Sequence, residues 1–304
     1  METAGILLHQ LLQMLIYIAI GFILYRTKKI TKEGSAALSN LLLYVILPCA
    51  IVNSFRLERT AETMSRIGMS LLVSLVVLVI AMGISFLVFR KDAIANFSAS
   101  FSNAGFMGIP LITAMLGGQA VCYIAGLVAM LNALQWTYGQ WIMSGDKKNI
   151  SPKAVLLSPM VLAFLIGLLV FFTQLPLPTI VSGSLSAIAA CNAPVAMIIL
   201  GVFLGQSRLV EIFTDKRVWL CSAVRLLVIP AVTLLAFLLI PEEYSAIRLA
   251  IFLAACAPAG SNVAVYAQKL KLDAGYAGRI VCLSTLLSVI SMPVMTALFD
   301  LIIH

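Results

Sequence analysis

Phe101 to Gly118 reads FSNAGFMGIPLITAMLGG, and Ala254 to Leu270 reads AACAPAGSNVAVYAQKL. Both stretches are apolar enough to lie in hydrocarbon, yet glycine, proline and asparagine interrupt each of them. Pro110 cannot donate a backbone hydrogen bond and clashes with the turn before it, while Gly105 and Gly108 make unwinding easy. In the second stretch Pro258, Gly260, Ser261 and Asn262 fall close together. Unwound backbone is tolerated at membrane depth only where it is buried in protein or lines a wet cavity. Two such broken helices can cross in an X and present half-helix N-termini to an anion. The matched pair, with Asn103 near one break and Asn262 at the other, predicts a midplane substrate site rather than two independent packing kinks.

Outward from these breaks the chain is built of the same material. Of 304 residues, 62% are hydrophobic and 11% charged, with a mean hydropathy of +1.08. A soluble domain of this length needs far more polar surface. The apolar residues come in blocks of about twenty, the length a helix needs to cross roughly 30 Å of hydrocarbon. They lack the period-two alternation of a membrane β-barrel. The composition therefore predicts an all-α polytopic membrane protein. Ten spans are expected, at 5–25, 36–55, 67–89, 94–116, 120–143, 154–172, 179–205, 218–240, 244–268 and 279–302. The polar run Ser144 to Lys153 is the linker between two halves. METAGILLHQ lacks a basic stretch before its apolar block, so it reads as a retained first span rather than a cleaved signal.

The net charge of +8 suits topology better than nucleic-acid binding. Fifteen of the 20 basic residues fall after odd-numbered spans: Arg26, Lys28, Lys29, Lys32, Arg90, Lys91, Lys147, Lys148, Lys153, Arg208, Lys216, Arg217, Lys269, Lys271 and Arg279. Basic loops stay in the cytoplasm, so both termini are expected outside. Five spans per half make the halves inverted repeats. Weak internal similarity agrees: Leu47-Pro48-Cys49-Ala50-Ile51 and Ala193-Pro194-Val195-Ala196-Met197 lie 146 apart, and Pro110 and Pro258 lie 148 apart.

The run Asn103 to Leu111 (NAGFMGIPL), with Ala114-Met115 and Gly117, resembles the fourth-helix signature of the auxin efflux carrier family. Asn40 with Pro48, Pro194, Arg225 with Pro230, Pro258 with Gly260, and Pro293 extend the resemblance over the whole chain. That family includes plant auxin carriers and bacterial malate and malonate carriers. The resemblance implies a scaffold of spans one, two, six and seven (5–55 and 154–205). It also implies a mobile transport unit of spans three to five and eight to ten (67–143 and 218–302), a homodimer, and the bacterial inner membrane. The long central loop of the plant carriers is missing, so regulation through it does not carry over.

The remaining candidates are few. Asn132 and Gln135, three residues apart, can share a helix face with Gly139 and reach a substrate carboxylate; the competing reading is interhelical hydrogen bonding. Arg225 lies inside an apolar span. Such residues are functional candidates by default, but its distance from the cytoplasmic end also allows it to snorkel to the interface as an anchor. Gly201 and Gly205 fit a small-xxx-small contact, either in a dimer face or within the chain. The six cysteines all lie in or beside apolar stretches and read as packing residues. No Asp or Glu lies deep in a span, and His9 and His304 sit at the ends. No HExxH, Walker motif or membrane Ser–His pair is present, so no enzyme activity, metal or cofactor is expected. The reading is a secondary transporter of small organic anions working by alternating access. Its rivals are an ion- or proton-coupled dicarboxylate symporter, a channel, and a membrane sensor or enzyme.

Overall fold

The computed structural model describes residues 2–146, 152–174, 176–206 and 209–303. Lys147, Lys148, Arg208, His304 and much of the expected central linker lie outside them. The main helices are α1 (Glu2–Arg26), α2 (Lys32–Ser54), α3 (Ala61–Val88), α4 (Ala93–Ser100) and α5 (Ala104–Leu116). Next come α6 (Gly118–Ser144), α7 (Pro159–Thr173), α8 (Thr179–Gln206) and α9 (Lys216–Phe237). The last are α10 (Ser245–Cys256), α11 (Asn262–Lys269) and α12 (Ala274–Ile303). The described residues contain no strand, only one isolated antiparallel bridge, between Ser102 and Ala259.

Seven of these helices are long and apolar enough to cross a membrane: α1, α2, α3, α6, α8, α9 and α12. The expected spans 94–116 and 244–268 are each split, into α4 with α5 and α10 with α11. The expected span 154–172 is interrupted at Leu157–Ser158: a short helix, Pro152–Leu156, comes first, and Pro159 then opens α7 at its first turn, where its missing N–H is harmless. The outer surface agrees with a membrane environment. Ile16, Leu72, Val79, Leu87, Leu169, Ile180, Leu239 and Leu301 are exposed, apolar surface of the kind that faces lipid or another apolar partner rather than water. Inside, Ser70, Ser85 and Ser98 are buried, and each turns its hydroxyl back to a carbonyl of its own helix at 2.6–2.7 Å. That satisfies the hydroxyl without another chain.

Three prolines act in one way. Pro48, Pro110 and Pro230 each follow a widened π turn, at Leu42–Ile46, Ala104–Gly108 and Val224–Val228. In each case one residue separates the turn from the proline. A proline ring clashes with the carbonyl four residues back, and widening the preceding turn relieves that clash without ending the helix. Pro110 is therefore not the break in its span; the chain unwinds earlier, at Phe101–Asn103. Pro194 follows a single-residue interruption at Cys191 within α8, whereas Pro293 stays inside a continuous α12.

The tightest helix contact is α1 against the second part of α8. A Cβ on Gly21 would overlap the Ile198 carbonyl, one on Gly201 would overlap that of Ile18, and one on Gly205 would come within 3.0 Å of the Tyr25 ring. Gly201 and Gly205 thus serve contacts within the chain.

Candidate functional site

The site begins with two short unwound segments that repair each other. At the end of α4, Phe101 adopts extended backbone. At the end of α10, Ala257 does the same, as expected for a residue preceding proline. The Asn103 amide donates to the Pro258 carbonyl at 2.8 Å, and the Gly260 amide donates to the Phe101 carbonyl at 2.9 Å. In hydrocarbon these groups have no water to turn to, so each break supplies the other's missing partners. Gly260 is required by this approach. A Cβ there would sit 3.2 Å from the Phe101 oxygen and 3.3 Å from that of Ser102, and neither backbone can move away without losing the pairing. From α12, the Ser284 hydroxyl accepts from the Ala259 amide at 3.2 Å and fixes the crossing from behind.

The half-helix ends are treated differently on the two sides of the crossing. On the C-terminal side, the Arg225 guanidinium meets three carbonyls. Its Nη1 donates to Ala99 of α4 at 3.0 Å, its Nε to Ala257 at 3.1 Å, and its Nη2 to Ala255 of α10. Arg225 is 2% exposed, so it does not snorkel. The expected distance to the interface was along the helix axis, but the side chain turns inward, where unpaired carbonyls attract it more strongly than water at the membrane surface.

On the N-terminal side, the first turns of α5 and α11 open on a narrow cavity of ≈ 30 Å³. Its wall includes Ser102, Asn103, Gly105, Asn132, Gln135, Gly260, Ser261 and Asn262. The structure therefore brings seven of the ten expected substrate contacts together. Gly108, Pro110 and Pro258 do not line it. A Cβ on Gly108 would meet Ala254 at 3.6 Å, an ordinary contact distance, so packing there does not require glycine, and the other two shape backbone.

The amides divide by role. Asn262 Nδ2 donates to Gln135 Oε1 at 2.8 Å, tying α11 to α6 across the cavity wall. Asn132 Nδ2 donates to Val128 within its own helix at 2.9 Å, so it makes no interhelical bond with that group. Asn103 Nδ2 is buried and has no partner. Gln135 opens a further π turn, Gln135–Gly139, which no proline explains. Its Tyr138 hydroxyl reaches Asn96 Oδ1 on α4 at 3.3 Å. The cavity's apolar side comes from Leu43 and Leu47 of α2, Val128 and Leu131 of α6, and Met160 of α7. Sequence reading passed over these because an apolar residue in an apolar span carries no signal of its own. Ser284 was equally silent.

Residues 6–296 match the family model described as "Membrane transport protein". A protein of Methanothermobacter thermautotrophicus, described as an uncharacterized transporter, is 26% identical over 302 residues. That alignment covers 93% of this chain and 95% of the relative. A match across nearly the whole chain agrees with the resemblance carried by Asn103 to Leu111 and by the prolines of the other spans. The protein belongs to the membrane transport protein family of auxin efflux carriers, and it is a membrane transporter.

Proposed function

We propose that the protein carries small organic anions, carboxylates foremost, by alternating access around the crossing of α4–α5 with α10–α11. One observation carries this reading: two half-helix N-termini and an unpartnered buried amide, Asn103 Nδ2, converge on one cavity. Each N-terminus bears about half a positive charge, and a carboxylate oxygen is the acceptor an idle amide donor lacks. The apolar wall of Leu43, Leu47, Val128, Leu131 and Met160 suits the carbon skeleton of such a ligand.

In this reading α4 with α5, and α10 with α11, each count as one span, giving ten in two inverted halves. α1, α2, α7 and α8 form the scaffold, which the glycine-mediated seam between α1 and α8 supports. The remaining helices move as the transport unit. The protein sits in the bacterial inner membrane with both termini outside, as a homodimer, and exports its anion without a coupling ion.

A melting-temperature screen of purified protein against malate, malonate and aromatic carboxylates identifies the ligand class. Counterflow in proteoliposomes then tests the mechanism. Saturable uptake stimulated by substrate on the opposite side is expected of a carrier; unsaturable flux with no such stimulation would mark a channel.

A further inference from the structure

The crossing holds a second arrangement of charge that the substrate cavity does not use. The carbonyls of Ala99, Ala255 and Ala257 come from two helices and converge on a single group, the guanidinium of Arg225. Converging carbonyls at broken helices are the ligands with which many membrane carriers hold a co-transported sodium ion. Here a covalently attached cation occupies that position. No described carboxylate forms an ion pair with it, so its charge answers only the carbonyls and the helix ends. The C-termini of α4 and α10 together present about one negative elementary charge, which one guanidinium balances. The N-termini of α5 and α11 are then left facing the cavity with their positive ends uncancelled.

We propose that Arg225 is the resident counter-cation of the crossing, standing where a coupling cation would otherwise bind, and that removing its charge turns the three carbonyls into a site for a free cation. Arg225 is thus a positioning residue: it holds both half-helices in register and does not touch the substrate. The proposal rests on the uncoupled anion-carrier reading for its place in transport. The cation site itself can be tested without any substrate.

The experiment uses Arg225→Ala, Arg225→Gln and Arg225→Lys in the full chain. Melting temperature is followed in 0–50 mM guanidinium chloride, sodium chloride or choline chloride, with urea as the uncharged control of guanidinium's shape. Arg225→Ala should melt lower than wild type and regain several degrees with guanidinium or sodium, but not with choline or urea. Wild type should not respond, and Arg225→Lys should remain close to it. Carboxylate flux should fall at least tenfold in Arg225→Ala and recover in part with the same cation.

Recovery with urea as large as with guanidinium would overturn the proposal, as would equal responses in wild type and variant, or no response to any cation. If Arg225→Ala and Arg225→Gln fail to fold, a folded Arg225→Lys supports the charge. Failure of all three counts against it, since an ammonium should serve a role that charge alone defines. Cation-specific rescue of melting without any carboxylate flux would sink the transport reading while leaving the resident cation standing.

Discussion

At the residue scale, the two asparagines of the crossing make unlike predictions. Asn103 Nδ2 bonds nothing in the chain, so Asn103→Ala should leave the melting temperature nearly unchanged. Its loss of one hydrogen bond to a charged ligand, about 1.5–3 kcal/mol, should weaken transport roughly 10–150-fold. Asn262→Ala should weaken transport similarly and also lower stability by about 1 kcal/mol, because Gln135 Oε1 loses its donor. Paired melting and counterflow measurements separate the two. Unfolding of both variants would make these amides structural bonds rather than substrate contacts. Both asparagines stand out in the sequence as polar letters in apolar spans. The bond from Asn262 to Gln135 does not, because 127 residues separate the pair.

At the element scale, the seam between α1 and α8 depends on the absence of side chains. Gly201→Ala places a methyl where the Ile18 carbonyl lies, and overpacking of this kind costs about 1–3 kcal/mol. Gly68→Ala on α3, which has open space at its Cβ, should be neutral or slightly stabilising through helix propensity. Melting both variants tests the seam; equal stabilities would mean that the helices slide apart freely.

The N-terminal end of α9 is held electrostatically. Asp215 caps it, accepting from the Arg217 amide at 3.0 Å and from the Arg217 guanidinium at 3.1 Å, with Arg279 at 3.7 Å. The Arg217 hydrogen bond keeps the Asp215 carboxyl below its ordinary value. A carboxyl lowered by folding stabilises above the unfolded value of about 3.9 and loses that contribution as pH falls through the folded value. Wild type should therefore melt above Asp215→Asn at pH 7, and the gap should close as the pH is taken below about 4. A gap that persists in acid would assign the effect to packing.

At the scale of the whole molecule, topology and energetics are the open predictions. In a cysteine-free background, a cysteine at Gly145 or Asp146 should be labelled only from the cytoplasm, and one added at either terminus only from outside. Labelling of both termini from inside would overturn the inverted ten-span arrangement. An anion leaving a cell with a negative interior gains about 2.3 kcal/mol per charge per 100 mV, enough for roughly 50-fold accumulation outside. Flux should thus follow membrane potential at fixed sodium and proton gradients. Flux that follows either gradient at clamped potential, after allowance for substrate protonation, would exclude uniport.

Composition and block length by themselves determined that this chain is helical and lies in a membrane, because the hydrocarbon core demands about twenty apolar residues per crossing. Proline and glycine placement likewise announced irregular helices at α4–α5 and α10–α11. Which irregularity each proline produces was decided only by tertiary structure. Pro48, Pro110 and Pro230 merely widen a turn, since continuing the helix still satisfies nearly all of its backbone groups. Pro258 stands at a true break, because the unwound end of α4 lies beside it to accept and donate what its own helix cannot. The break at Phe101–Asn103 contains no proline, and it exists because the opposite segment makes unwinding affordable in free energy. Arg225 shows the same dependence. Its letter marks a charge inside an apolar span, but whether that charge reaches for water or for three carbonyls depends on helix ends 30 and 126 residues away.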